Sequence, residues 1–131
     1  MKTTRNENSV LATLSPEPGL LRLTKTMLDK AIIDANLSIR AFASQFGVDM
    51  VKMEAGDREQ VEAQYTDGTP CTLSFYRTAN RGDKRFSCSG IKTQAGVGDL
   101  VALTTESNSE GEMILVVNVS KVSAGVASLT A

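Results

Sequence analysis

Five basic side chains fall within sixteen residues, Arg77, Arg81, Lys84, Arg85 and Lys92, against a single acid, Asp83. Arginine's planar fork pairs bidentately with a phosphate or with the O6/N7 edge of guanine. Asn80, in the same stretch, has the donor and acceptor that the adenine edge requires, and Asp83 can accept from the cytosine amino group. Side chains of these types close together are what reading a DNA major groove needs, lysines on phosphates and arginines on bases. The same charges can also do no more than keep a solvated loop and its edge strand from pairing with another sheet.

The charge balance sharpens this contrast. The chain carries 14 basic and 15 acidic residues, a net of −1. With the basic stretch set aside, the remainder is acidic. General coating of nucleic acid is therefore not expected, whereas a local contact is. Histidine is absent, which removes the Ser-His and Cys-His nucleophile systems and the usual general base near neutral pH. The Glu-x-Lys pattern of metal-dependent nucleases does not occur, nor does a Walker loop, GxGxxG or GxSxG. No catalytic residue, metal site or cofactor is expected, and the chain reads as a binding protein rather than an enzyme. Cys71 and Cys88 have no metal-ligand spacing and read as reduced, half-buried thiols of a cytoplasmic protein. The polar start, Met1 to Asn8, lacks the apolar core of a secretory signal, and no apolar run is long enough to span a bilayer.

The elements that must position the basic stretch read mainly as strands. Residues 1–19 read as a flexible polar tail ending in the breaker cluster Ser15-Pro16-Glu17-Pro18-Gly19, ahead of a domain over 20–120. The stretch from Thr24 to Ala35 suits a short helix or an irregular strand. Ser38 is a candidate N-cap for a helix with the apolar stripe Ile39, Phe42, Ala43 and Phe46, stopped by Gly47. Val48, Met50, Val51 and Met53 then suggest a strand. Val61, Ala63 and Tyr65 alternate with polar residues, Asp67-Gly68 signals a hairpin, and Cys71, Leu73 and Phe75 return on one face. Phe86 to Gly90 reads as a short strand and Ile91 to Ala95 as one helical turn. A closing hairpin pairs Asp99–Thr104 with Met113–Val119, the latter apolar enough for a strand buried on both faces. Residues 121–131 are weakly patterned and read as a linker or frayed end. The expected fold is mainly β (α+β), an open barrel of about seven short, mostly antiparallel strands with one or two short helices. Its expected core includes Phe42, Phe46, Leu73, Phe75, Leu100, Val101, Leu115 and Val117.

From Asp67 to Leu103 the chain reads DGTPCTLSFYRTANRGDKRFSCSGIKTQAGVGDLVAL. A strand ends in Tyr76-Arg77, a basic loop carries the acid-base-base triplet Asp83-Lys84-Arg85, and Ser89-Gly90-Ile91-Lys92 and Gly98-Asp99-Leu100 follow. This resembles the N-terminal DNA-recognition pseudobarrel of EcoRII-type restriction endonucleases, with a similar domain in the MvaI/BcnI type and the same architecture in plant hormone-response transcription factors. The resemblance runs from about Leu20 to Val119. It implies a double-stranded DNA-binding module, sequence-recognising and without catalysis of its own, that grips the duplex with two arms. The second arm falls on Arg77, Asn80, Arg81, Asp83, Lys84 and Arg85, and the first between Arg22 and Lys30, at Lys25 and Lys30. Ser87-Cys88-Ser89 stand where the family carries an aromatic. The alternative is a protein-interaction module, regulatory or phage-related, whose basic loop docks on an acidic partner such as a nuclease domain.

Overall fold

The structure, a computed structural model, describes residues 17–121. In chain order its elements are β1 (Gly19–Arg22), α1 (Lys25–Lys30), β2 (Ile33–Asp34), α2 (Leu37–Ser44), β3 (Arg58–Tyr65), β4 (Pro70–Arg77), β5 (Lys84–Cys88), α3 (Ile91–Gln94), β6 (Leu100–Ser107) and β7 (Met113–Ser120). The seven strands form one sheet in the order β1-β6-β7-β3-β4-β5-β2. All pairings are antiparallel except β3 with β7, which meet at Gln64↔Val116 and Tyr65↔Val117. The sheet curls into a half-barrel, the mainly β open pseudobarrel expected. It carries three short helices, because the 24–35 stretch is both a helix and a strand: α1 and then the two-residue β2. Among the described residues no helix is long and apolar enough to cross a membrane.

The hairpins follow their turn chemistry. Asp67 Oδ1 accepts from Thr69 N at 2.9 Å while Gly68 N donates to Tyr65 O at 2.8 Å, which folds β3 back onto β4. In β7, Leu115, Val116 and Val117 are buried in succession, so both faces of this strand are covered, as its continuous apolar run requires. The interior is built around Phe42, Tyr65, Leu73, Phe75, Phe86, Val101, Leu103 and Val117. Phe75 and Phe86 face each other across β4 and β5 with ring centroids 5.4 Å apart. Phe46 and Leu100, expected in the core, are only partly buried.

Two local expectations change for identifiable reasons. Val48 to Met53 is not a strand but a run of turns. Asp49 Oδ1 accepts from Val51 N at 3.1 Å and Asp49 O from Lys52 N at 3.2 Å, so a side chain takes over backbone bonding and the buried residues come at 48, 50 and 53. The N-cap of α2 is Asn36, whose Oδ1 accepts from Ile39 N at 2.8 Å, and not Ser38. The stop at Gly47 is as expected: Gly47 N reaches Ser44 O at 3.2 Å and Val48 N reaches Ala43 O at 3.1 Å.

The residues at the start of α2 close the seam of the half-barrel. β1 and β2 are the two edges of the sheet, and an edge strand presents unpaired backbone groups. Here Leu20 N donates to Ser38 Oγ at 2.8 Å and Leu20 O accepts from Asn36 Nδ2 at 3.1 Å. Gly19 allows the approach, since a Cβ there would lie 2.9 Å from Phe42 Cβ. Asn36 thus caps a helix with its oxygen and ties an edge strand with its nitrogen. Asn36→Ala is expected to lower the unfolding free energy by about 1–2 kcal/mol, the upper part of the N-cap range, read as a shifted urea midpoint.

Candidate nucleic-acid interface

The loop between β4 and β5 is a tightly bonded turn. Thr78 N donates to Asp83 O, Gly82 N to Thr78 O and Asp83 N to Thr78 Oγ1, each at 2.9 Å. Arg77, at the end of β4, lies behind this loop and is half-buried. Its Nε donates to Gly82 O at 2.8 Å and its Nη1 to Met53 O at 2.6 Å. Gly82 has φ 71°, a backbone conformation that favours glycine, and a Cβ on it would lie 3.0 Å from Arg77 Nη2 and crowd the guanidinium. Arg77 therefore stitches the loop to the 48–53 turns.

Asn80 and Arg81 are exposed at the turn, and Lys84 and Arg85 open β5. Ala35 N donates to Lys84 O at 3.0 Å, and Asp34 stands opposite Arg85 in the β2–β5 register. Arg85 Nη2 donates to Asp83 Oδ2 at 3.0 Å, and Arg85 Nε lies 3.0 Å from Asp34 Oδ1. Arg81 is looser, its Nε 4.0 Å from Asp83 Oδ2. Between this loop, β2 and α2 runs an open groove of about 600 Å³, lined by Asp34, Ala35, Arg40 and residues 81–85. Four cations, Arg40, Arg81, Lys84 and Arg85, face two acids there.

No protein-family model, curated protein or solved structure matches this chain.

Of the residues singled out in the sequence, Arg81, Asp83, Lys84 and Arg85 meet at the groove, with Asn80 on the same loop. Lys92 lies on α3, beyond the far end of β5 from the loop. Four strand steps, about 13 Å, separate the two ends, so the run of charge in sequence is divided in space. Lys25 and Lys30 sit on α1 and are not among the residues that line the groove, and Lys25 is paired with Asp29 on the surface. Two groove residues escaped the sequence reading. Asp34 enters through strand pairing. Arg40 left one signal: it is the only charged residue in α2, LSIRAFAS.

A second polar cluster is buried under β4 and β5. The Tyr65 hydroxyl donates to Ser89 O at 2.7 Å, which uses its one proton, so the Cys88 thiol 3.1 Å away is the donor to Tyr65 Oη. Burial pushes the Cys88 thiol up to about 12, and burial together with the Cys88 contact also raises the Tyr65 phenol. Burial raises Cys71 as well. Groups held protonated in this way are poor nucleophiles.

Proposed function

We propose that this chain is a double-stranded DNA-binding module that recognises sequence through the loop from Arg77 to Arg85 and carries no catalysis of its own. The observation that carries the reading is the groove in which Arg40, Arg81, Lys84 and Arg85 converge on a chain that is otherwise acidic. A local positive wall suits a phosphate backbone. Arg81, with its side chain 82% exposed, has a guanidinium free to meet a base edge, and Asp83 orients the Arg85 fork. An exposed arginine fork favours a base edge over bare charge attraction. The resemblance to restriction-endonuclease recognition pseudobarrels supports the same reading.

Selection of bound sequences from random duplex DNA tests it, followed by titration of the selected duplex and a scrambled one at two salt concentrations. Arg81→Ala is expected to cost about 1–3 kcal/mol on the selected duplex and to relax preference at one position. Asp83→Ala is expected to weaken the selected duplex, because it removes the cytosine acceptor and the carboxylate beside Arg81, while tightening the scrambled one by removing a like charge to phosphate. Lys92→Ala, beyond the far end of β5, is expected to change either titration less than Arg81→Ala does. Equal tightening of both duplexes by Asp83→Ala would reject base readout by this loop. Failure to bind any duplex at low salt would reject the DNA reading and favour an acidic protein partner.

A further inference from the structure

Among the described residues two buried side-chain polar atoms lack a hydrogen bond, Arg40 Nε and Arg85 Nε. Both side chains line the same groove, one from α2 and the other from β5. A buried charged donor left without an acceptor is costly, and native structures rarely keep one without a reason. Two in one groove, on different elements, suit a shared acceptor, and the four cations that line the groove favour an anion. Asp34 approximates one. Its Oδ1 lies 3.0 Å from Arg85 Nε, yet the N–H is out of line and no hydrogen bond forms. The Asp34 side chain is 80% exposed and rides the two-residue edge strand β2, so solvent can take it back readily. Arg85 is only 19% exposed and fixed from its other side by Asp83.

We propose that the groove seats one phosphate group, a backbone phosphodiester of the bound nucleic acid, whose oxygens accept from both Arg40 Nε and Arg85 Nε. Asp34 is the carboxylate that competes for this seat and is displaced as the phosphate enters. The inference rests on the DNA-binding reading for the source of the phosphate, while the seat itself rests on the two arginines. A planar guanidinium offers the in-line Nε–H that a tetrahedral oxyanion accepts, which a lysine in either position cannot reproduce.

The test follows the arginine Nε–H signals by ¹⁵N NMR during titration with inorganic phosphate and with duplex DNA, beside duplex affinities of Asp34→Asn and Arg40→Lys. Thermal melts check that both variants fold. Signals of Arg40 and Arg85 are expected to shift with either ligand. Asp34→Asn is expected to tighten duplex binding several-fold. Arg40→Lys, which keeps the charge, is expected to weaken it on the order of tenfold for any sequence, the effect of one charge-assisted hydrogen bond. If the wild-type protein binds duplex but both variants match it and the two signals stay still, the seat is rejected and the DNA reading stands. If no duplex binds but inorganic phosphate moves both signals, the seat stands for a free phosphate ligand and the DNA reading falls. If neither ligand moves them, the seat is overturned.

Discussion

Folding stability is expected to fall by roughly 3 kcal/mol as the pH rises from 9 to 12, through the Cys88 thiol alone. In the unfolded chain this thiol titrates at 9.0; in the folded protein burial pushes it up to about 12. A folded-state pKa raised above the unfolded value means that the folded form holds its proton longer. The stabilisation is therefore complete below pH 9 and is lost as the pH climbs through the folded value. Each pH unit well inside that window removes about 1.4 kcal/mol per group, and the half-titrated ends reduce three units to roughly 3 kcal/mol. Tyr65 acts in the same direction, its phenol raised by burial and by the Cys88 contact. The coupling is physical: Cys88 S–H donates to Tyr65 Oη, whose own proton goes to Ser89 O, so loss of either proton leaves a buried anion facing an oxygen or sulfur. Urea unfolding at intervals between pH 8 and 12 measures the slope. Cys88→Ala is expected to flatten it, and Tyr65→Phe to flatten it further at the upper end. A wild-type slope between pH 9 and 11 no steeper than that of Cys88→Ala would refute the assignment.

Arg77→Ala is expected to lower stability by about 3 kcal/mol and to weaken the selected duplex more than a scrambled one. Two charge-assisted hydrogen bonds to backbone carbonyls are lost, to Gly82 O and to Met53 O, each worth about 1.5–3 kcal/mol when well made, with partial exposure reducing the sum. The loop that carries Arg81 and Asp83 then loses its anchor to the 48–53 turns. Arg77→Lys is expected to restore little, because one ammonium cannot reach two carbonyls in the directions a guanidinium spans. Urea midpoints and duplex titrations separate the two possible roles of this residue. A wild-type midpoint with lost DNA binding would make Arg77 a direct ligand contact. A lowered midpoint, with reduced preference for the selected duplex, makes it the clamp of the loop.

If the loop reads bases, its accuracy depends on such anchoring. Asn80 and Arg81 project from a six-residue turn, Thr78 to Asp83, whose backbone is closed by Thr78 at both ends. Asp83 has two consequences in this setting. It reduces the net charge available to phosphate, and it holds the Arg85 fork in one orientation. A surface built only for charge would do better without it.

Much of this protein was legible in its sequence because the deciding interactions are local. The alternation of Val61, Ala63 and Tyr65, the Asp67-Gly68 turn and the apolar run of β7 each follow from side chains a few residues apart, and so do the strands they mark. The helix after Asn36 and its stop at Gly47 belong with them. The basic loop was visible as a run of charge for the same reason. Long-range pairing decided most of the rest. Asn36 displaced Ser38 as the cap because Ser38 Oγ is engaged by Leu20, 18 residues away. Val48 to Met53 became turns because Asp49 bonds the backbone and Arg77 takes the Met53 carbonyl. The groove exists only because β2 pairs with β5 and α2 follows it, which brings Asp34 and Arg40 to a loop more than forty residues further along the chain. The same geometry turned Arg77 inward and left Lys92 beyond the other end of a strand. Charge is countable along a sequence, but which charges share a surface is set by strand register, and register is fixed by the buried face as a whole.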